Sequence, residues 1–274
     1  MRKILLVSGC SMADKNFRSA TNPGIDTSWP KWPELLAKKL DMDCINLGSS
    51  GAGNEYIYSS LLEQILQKKD QIGLVISSWS QCQREDYQEW NRWKHTRVYT
   101  NGDVFGWLKK SLVYMISLQA VCERYNIPLK QIQMIPLYYS WLCGLGKTDE
   151  EIFRNRDKPD FKFKYTYPGD KEKDKKKCEK IIMTYEPYIN VENFIGWPTV
   201  KNLGGYNIEE KTIKSQEQKG EKDNRTKKQK VMMMDYLENR GYEFEKDLIV
   251  SEWDQHPNAK GNEKIMEFIY DRLG

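Results

Sequence analysis

The strongest constraint in this chain is an alternation. Short apolar runs that end in glycine or serine are separated by segments whose apolar residues recur every three or four positions. Residues 3 to 7 (Lys-Ile-Leu-Leu-Val) run into Ser8 and Gly9, which predicts a buried strand entering a loop. Trp32, Leu35, Leu36 and Leu40 then follow at helical spacing, and Pro33 suits the first turn of that helix. A second strand is expected over 43 to 47, breaking at Gly48, and Ile57, Leu61, Leu62, Ile65 and Leu66 mark the apolar face of the next helix. Residues 72 to 78 supply a third strand, and Leu108, Leu112, Met115 and Ile116 the face of a long helix ending near Arg124. Residues 132 to 135 give strand four, 248 to 250 strand five, and Ile265, Phe268, Ile269 and Leu273 a closing helix. Strands separated by helices imply an α/β fold, a three-layer α/β/α arrangement around a five-stranded parallel sheet. In such sheets ligands bind at the carboxyl ends of the strands, so chemistry is expected in the loops after strands one, two, three and five.

The 274 residues allow one large domain or one domain carrying an insertion. Charge decides for the second. Residues 147 to 180 hold 12 Lys/Arg and 9 Asp/Glu, and residues 209 to 230 hold 8 and 5. Because the whole chain carries only +4, the rest is slightly acidic and the positive charge is concentrated between strands four and five. The expected organisation is a scaffold of residues 1–144 and 231–274 interrupted by a charged, partly flexible insertion or lid at 145–230, with the aromatic island from 185 to 197 anchoring its middle.

Several classes fall away. No apolar run approaches the roughly 20 residues of a spanning helix, and the run after the basic start is too short for a signal peptide, so a cytoplasmic location is expected. The six cysteines contain no C-x-x-C pair, which removes zinc ribbons and thioredoxin motifs and leaves reduced thiols as the expectation. Gly48, Gly51 and Gly53 are spaced G-x-x-G-x-G, which does not fit the dinucleotide fingerprint, and there is no P-loop. No cofactor and no metal is expected. Only His95 and His256 are available to any mechanism that needs imidazole.

Three loops are rich in chemistry. Gly9-Cys10-Ser11 follows strand one, where a sharp turn presents a hydroxyl; a turn or cap is the alternative use of such a serine. Residues 46 to 54 (Asn-Leu-Gly-Ser-Ser-Gly-Ala-Gly-Asn) set backbone N–H groups just before a helix, where an anion or oxyanion can be held. Asp254-Gln255-His256-Pro257-Asn258 precedes the last helix; Asp254 or Asn258 could cap that helix, or Asp254 could orient His256 as a base for a serine hydroxyl.

Together, Gly9-Cys10-Ser11, Asn46-x-Gly-x-x-Gly51 and Asp254-x-His256-Pro257-Asn258, in this order and placement, resemble the SGNH (GDSL-type) hydrolases, and look closest to members common in phage and bacterial genomes. The match covers residues 1 to 86 and 248 to 274. The resemblance implies a flavodoxin-like fold with a five-stranded parallel sheet and an esterase or acetylesterase activity on a small-molecule or carbohydrate ester, such as an O-acetyl group. It makes Ser11 the nucleophile, His256 the general base and Asp254 its orienting partner. The N–H groups of Ser11 and Gly51 become oxyanion donors. Two positions depart from the family. Where its third block reads G-x-N-D, this chain has Ser78-Trp79-Ser80-Gln81, so Ser80 stands in for the asparagine donor, with Gln81 or Asn54 as substitutes. Where the family places its aspartate three residues before the histidine, this chain has Trp253, with Asp254 two before and Glu252 as an alternative support.

His95 lies in a Trp- and Arg-rich stretch and reads as a packed or surface residue; Arg84, Glu85 and Asp86 read as cleft-lining groups or as an ion pair supporting the loop. A different class of function is carried by the insertion: its lysines could bind nucleic acid or another polyanion on a scaffold that has lost catalysis.

Overall fold

The computed structural model describes residues 2–20, 22–96, 102–135, 137–138, 170–195, 247–251 and 254–273. The amino-terminal elements are β1 (Ile4–Gly9), α1 (Trp32–Lys39), β2 (Asp43–Asn46), α2 (Asn54–Lys68) and β3 (Ile72–Trp79). A hairpin of β4 (Glu85–Glu89) and β5 (Arg92–Thr96) follows, then α3 (Val104–Arg124) and β6 (Leu129–Gln133). The remaining elements are α4 (Lys171–Tyr185), β7 (Ile249–Ser251), β8 (Asp254–Pro257) and α5 (Ala259–Tyr270).

Four strands form one parallel sheet in the order β2-β1-β3-β6. Successive side chains of a strand face opposite ways, and β1 shows why both faces must be covered. Ile4 and Leu6, with Val75 of β3, pack against Ile57, Leu61 and Ile65 of α2 and Leu108, Leu112 and Met115 of α3. Leu5 and Val7, with Leu74 and Ile76, pack against Trp32 and Leu36 of α1 and Ile265 and Ile269 of α5. The three-layer arrangement expected from the alternation is therefore present, and it aligns the carboxyl ends of β1, β2 and β3 at one edge.

Three expectations change. The segment expected as a fifth sheet strand, 248 to 250, instead pairs antiparallel with β8 in a separate two-stranded unit. The edge of β6 is met by a parallel bridge from Gln131 to Phe194, and Ile195 N donates to Gln131 O at 2.8 Å. Strand four starts at Leu129, three residues before the expected 132, because β6 buries two glutamines that break its apolar reading. Each amide is half paired: Trp79 Nε1 donates to Gln131 Oε1 at 2.9 Å and Gln133 Nε2 to Ser80 O at 3.1 Å, while Gln131 Nε2 and Gln133 Oε1 are buried without a hydrogen-bond partner among the described residues. The hairpin of β4 and β5 was not expected at all.

Within the predicted insertion, α4 buries Cys178 and Ile182 against the α2 and α3 side of the core, and Ile189 and Phe194 join them. Of the aromatic island from 185 to 197, Phe194 is buried and Tyr185 packs against the core while Tyr188 is exposed; residues 196–197, the boundaries at 144–145 and 230–231 and the lysine-rich 209–230 lie outside the described residues. The five described cysteines are free, and burial pushes the thiols of Cys44, Cys122 and Cys178 up to about 12. Among the described residues no helix is long and apolar enough to cross a membrane.

The unit that carries residue 256 is locked to the fold by a close approach at the start of α5. A Cβ at Gly261 would lie 2.1 Å from the carbonyl oxygen of Leu248, which also accepts the N–H of Asn258. Alanine favours a helix interior over glycine by about 1 kcal/mol, but a backbone clash of this depth outweighs it. Gly261→Ala is expected to cost about 3 kcal/mol, read as a lowered urea midpoint; an unchanged or raised midpoint would contradict this packing.

Candidate active site

Ser11 is half-buried in the turn after β1, where the N–H of Ala13 donates to the carbonyl of Cys10 at 2.9 Å. The chain's other end supplies its partner. His256 Nε2 lies 2.7 Å from Ser11 Oγ, and His256 Nδ1 lies 2.5 Å from Asp254 Oδ1, although 245 residues separate the serine from the histidine.

Local structure explains why the aspartate stands two residues before the histidine. Residues 254 to 257 form β8, and in a strand positions i and i+2 face the same side, so Asp254 meets the ring of His256 directly. The N–H of His256 also donates to Asp254 Oδ1 at 3.1 Å, and the Asp254 N–H donates to Ser251 Oγ. Asn258, the other candidate cap, does cap α5: its Oδ1 accepts from Gly261 N at 2.9 Å. Phe17 stacks on the imidazole with ring centroids 4.1 Å apart and is itself held by Thr27, whose hydroxyl donates to the Phe17 carbonyl.

The Asp254 side chain is 5% exposed and that of His256 29%, so the carboxylate is shielded while the imidazole reaches the surface. Burial works to raise the Asp254 pKa, but hydrogen bonds from His256 and Ser19, with the attraction of His256, outweigh it and hold the carboxyl below its ordinary 3.8. A carboxyl held low in the folded state stabilises the fold fully above its unfolded pKa, and that contribution is lost as pH falls through the lowered value. The wild type is therefore expected to lose more stability between about pH 5 and about pH 3 than Asp254→Asn, measured by urea midpoints. Equal losses would show that Asp254 is not the linked group.

The second loop lies against the first. Ser49 N donates to Gly9 O at 3.0 Å, and the N–H and hydroxyl of Ser50 both donate to Asp14 Oδ2. From Leu47 to Gly53, the N–H groups of Leu47, Gly48, Ser49, Ser50, Ala52 and Gly53 all have intramolecular acceptors. Gly51 is the exception: among the described residues its N–H has no partner, and its φ of +86° is one that glycine adopts without strain. The N–H of Ser11 is likewise without a partner among the described residues.

Two of the substitute donors, the Ser80 N–H and the Asn54 amide, are engaged with each other or with Ser111. Ser80 N donates to Asn54 Oδ1 at 2.7 Å, Asn54 Nδ2 donates to Ser80 O and Ser111 Oγ, and the Ser80 hydroxyl is buried without a hydrogen-bond partner. These bonds tie α2 to the end of β3, and they leave neither the Ser80 N–H nor the Asn54 amide free to meet a ligand oxygen. Gln81 Oε1 accepts from Gln83 Nε2. Glu252 and Trp253 lie outside the described residues. Among the described residues no group of three or more His, Cys, Asp or Glu side chains is placed to hold a metal ion.

Two features escaped the sequence. Phe17 sits in an irregular loop with no periodic signal. His95 is neither a simple core nor a surface residue: its Nδ1 lies 2.7 Å from Asp86 Oδ1 and its Nε2 3.0 Å from Ser49 Oγ, and Asp86, expected as a cleft-lining group or half of an ion pair, accepts a hydrogen bond from it.

No protein-family model and no curated protein matches the sequence. Among solved structures, the chain is similar to LAE5, an alpha/beta hydrolase enzyme from the metagenome of Lake Arreo, at 10% identity and TM-score 0.42, over 99% of this chain and 94% of that one. A protein described as a GDSL-like lipase from Parabacteroides merdae is similar at 10% identity and TM-score 0.42, over 100% and 96%. A variant of Axe2, an acetyl-xylooligosaccharide esterase from Geobacillus, is similar at 13% identity and TM-score 0.42, over 100% and 94%.

Proposed function

We propose that this chain is a serine ester hydrolase, an acetylesterase-type enzyme that cleaves carboxylic esters, O-acetyl groups on carbohydrate among them. The observation that carries this reading is the hydrogen-bond chain from Ser11 Oγ through His256 to Asp254. A serine hydroxyl is a weak nucleophile until a base within hydrogen-bond reach takes its proton, and that base works only when a third group holds its tautomer.

The steps follow from the geometry. His256, with Nδ1–H donated to Asp254, presents Nε2 as an acceptor to the Ser11 O–H. As Ser11 Oγ bonds to the carbonyl carbon, its proton passes to Nε2 and the carbonyl π electrons move onto oxygen. The N–H groups of Ser11 and Gly51, unpaired among the described residues, are the donors that receive this oxyanion. Collapse of the intermediate breaks the bond to the alcohol, which leaves with the proton from Nε2. Water then attacks acyl-Ser11 as His256 takes its proton, the bond between Ser11 Oγ and the acyl carbon breaks, the proton on Nε2 passes to Oγ, and the carboxylic acid is released. Asp254 stays ionised throughout and steadies the imidazolium.

The test is covalent. Incubation of the full chain with a fluorophosphonate probe, followed by peptide mapping, is expected to place the label on Ser11. No label, or a label elsewhere in a well-folded protein, would overturn the assignment.

A further inference from the structure

A second aspartate–histidine–serine chain stands beside the first, and its surroundings say what it does. Asp86 on β4 is fully buried, with its side chain 0% exposed, and a buried carboxylate needs several donors. It has three: the N–H of Gly53 at 2.8 Å, the N–H of Tyr56 at 2.8 Å and Nδ1 of His95 on β5 at 2.7 Å. The first two belong to the first turn of α2, whose own N-cap residue is a glycine without a capping side chain, so Asp86 caps that helix from another element. Because Nδ1–H faces Asp86, Nε2 of His95 is an acceptor, and the Ser49 hydroxyl donates to it at 3.0 Å. The hairpin thus grips the glycine turn on both sides of Gly51, at Ser49 and at Gly53.

Contacts at Gly51 itself complete the grip. A Cβ there would lie 3.4 Å from the Cβ of His95, so the histidine backs directly onto the residue whose N–H has no partner among the described residues. Tyr56 stands edge-on to the His95 ring at 5.0 Å and donates its hydroxyl to Leu47 O at 2.7 Å, closing the far end of the same turn.

Ser49 resembles a nucleophile in its partners but not in its setting. Its own N–H is engaged by Gly9 O, and the next N–H and hydroxyl are both engaged by the Asp14 carboxylate, which leaves an oxyanion no adjacent donor and a negative neighbour.

We propose that His95 is a positioning residue: held by Asp86 and bonded to Ser49, it fixes the turn of residues 48 to 53 so that the Gly51 N–H is aimed at the developing oxyanion. This rests on the hydrolase reading above and extends it to a residue outside the Ser11 chain. A donor that is misplaced by a fraction of a bond length stabilises the transition state less without changing how the substrate binds, so the effect belongs in kcat.

The experiment compares the wild type with Ser49→Ala, His95→Asn and His95→Gln, using p-nitrophenyl acetate kinetics, fluorophosphonate mapping and thermal melting. Ser49→Ala removes one hydroxyl; His95→Asn keeps a donor for Asp86 but not the reach to Ser49; His95→Gln places an amide oxygen where Nε2 accepted from Ser49. Ser49→Ala and His95→Asn are expected to lower kcat about 10- to 100-fold with KM changed less than about twofold, and His95→Gln to recover kcat to within about threefold. Unchanged kcat in Ser49→Ala and His95→Asn, or losses in all three that follow melting temperature with no recovery by glutamine, would overturn the positioning role while the hydrolase reading stands. Label found on Ser49 would overturn it in favour of a second nucleophile. A wild type that neither hydrolyses the ester nor labels at Ser11 fails the hydrolase reading, and this proposal falls with it.

Discussion

Ser11→Ala is expected to lower kcat/KM for p-nitrophenyl acetate by about 10⁴- to 10⁶-fold and to abolish fluorophosphonate labelling. The substitution removes only the Oγ that faces His256 Nε2 at 2.7 Å, at a half-buried position, so the fold should lose no more than about 1 kcal/mol. Loss of activity with an unmoved melting curve then isolates the nucleophile from the scaffold. The double variant Ser11→Ala/His256→Ala should be no slower than Ser11→Ala alone, because a base with no nucleophile to activate contributes nothing further. Activity within tenfold of wild type in Ser11→Ala would end the proposal. Additive losses in the double variant would mean that serine and histidine do not act as one unit.

Asp254→Asn is expected to cost about 10³- to 10⁴-fold in kcat. The carboxylate accepts from both the ring and the backbone N–H of His256, which sets the proton on Nδ1 and leaves Nε2 free to accept from Ser11. An asparagine can still accept the backbone N–H through its oxygen, but its NH₂ then meets Nδ1 and favours the opposite tautomer, with Nε2–H facing Ser11. A base already carrying its proton at that atom cannot take another. Wild-type activity in Asp254→Asn would show that some other group sets the tautomer, and a pH–rate profile on both proteins would locate it.

Much of the scaffold was legible because its signals are local. The strand at 4 to 9 is an apolar run closed by small residues, the expected strand at 72 to 78 extends by one residue to Trp79, and α3 ends at Arg124 as its periodic face predicted. The signal failed where burial was polar or where pairing was decided at a distance. Gln131 and Gln133 lie in β6 because Trp79 and Ser80 supply hydrogen-bond partners, which no window around residue 130 contains. The hairpin at 85 to 96 turns on Trp90 and Asn91, both with positive φ; asparagine is a usual resident of such a turn, but tryptophan is not, so the turn signal was half missing. Residues 248 to 250 read as a strand, which the structure places one residue later at 249 to 251, and wrongly as a member of the parallel sheet, since an apolar run says nothing about which edge will receive it.

The candidate site divides along the same line. Ser11 and His256 stand out by residue type and loop position, whereas Gly51 followed only from the resemblance of the three loops to the SGNH hydrolases. The expected contribution of Ser80 could not be tested without knowing that its N–H and Asn54 satisfy each other. The pairing of His95 with Ser49 depends on a hairpin folding back across 46 residues of chain.

By itself the sequence determined the alternation of strands and helices, the small set of reactive loops and the scarcity of imidazole, because these depend on residue type and on spacing within a turn or a strand. Only the tertiary structure decided that Ser11 and His256 meet at 2.7 Å, that a two-residue spacing serves because 254 to 257 is a strand, and that one N–H in the glycine turn has no partner among the described residues. Those outcomes follow from hydrogen bonds between distant segments, whose partners exist only once the sheet has brought its loops to a common edge.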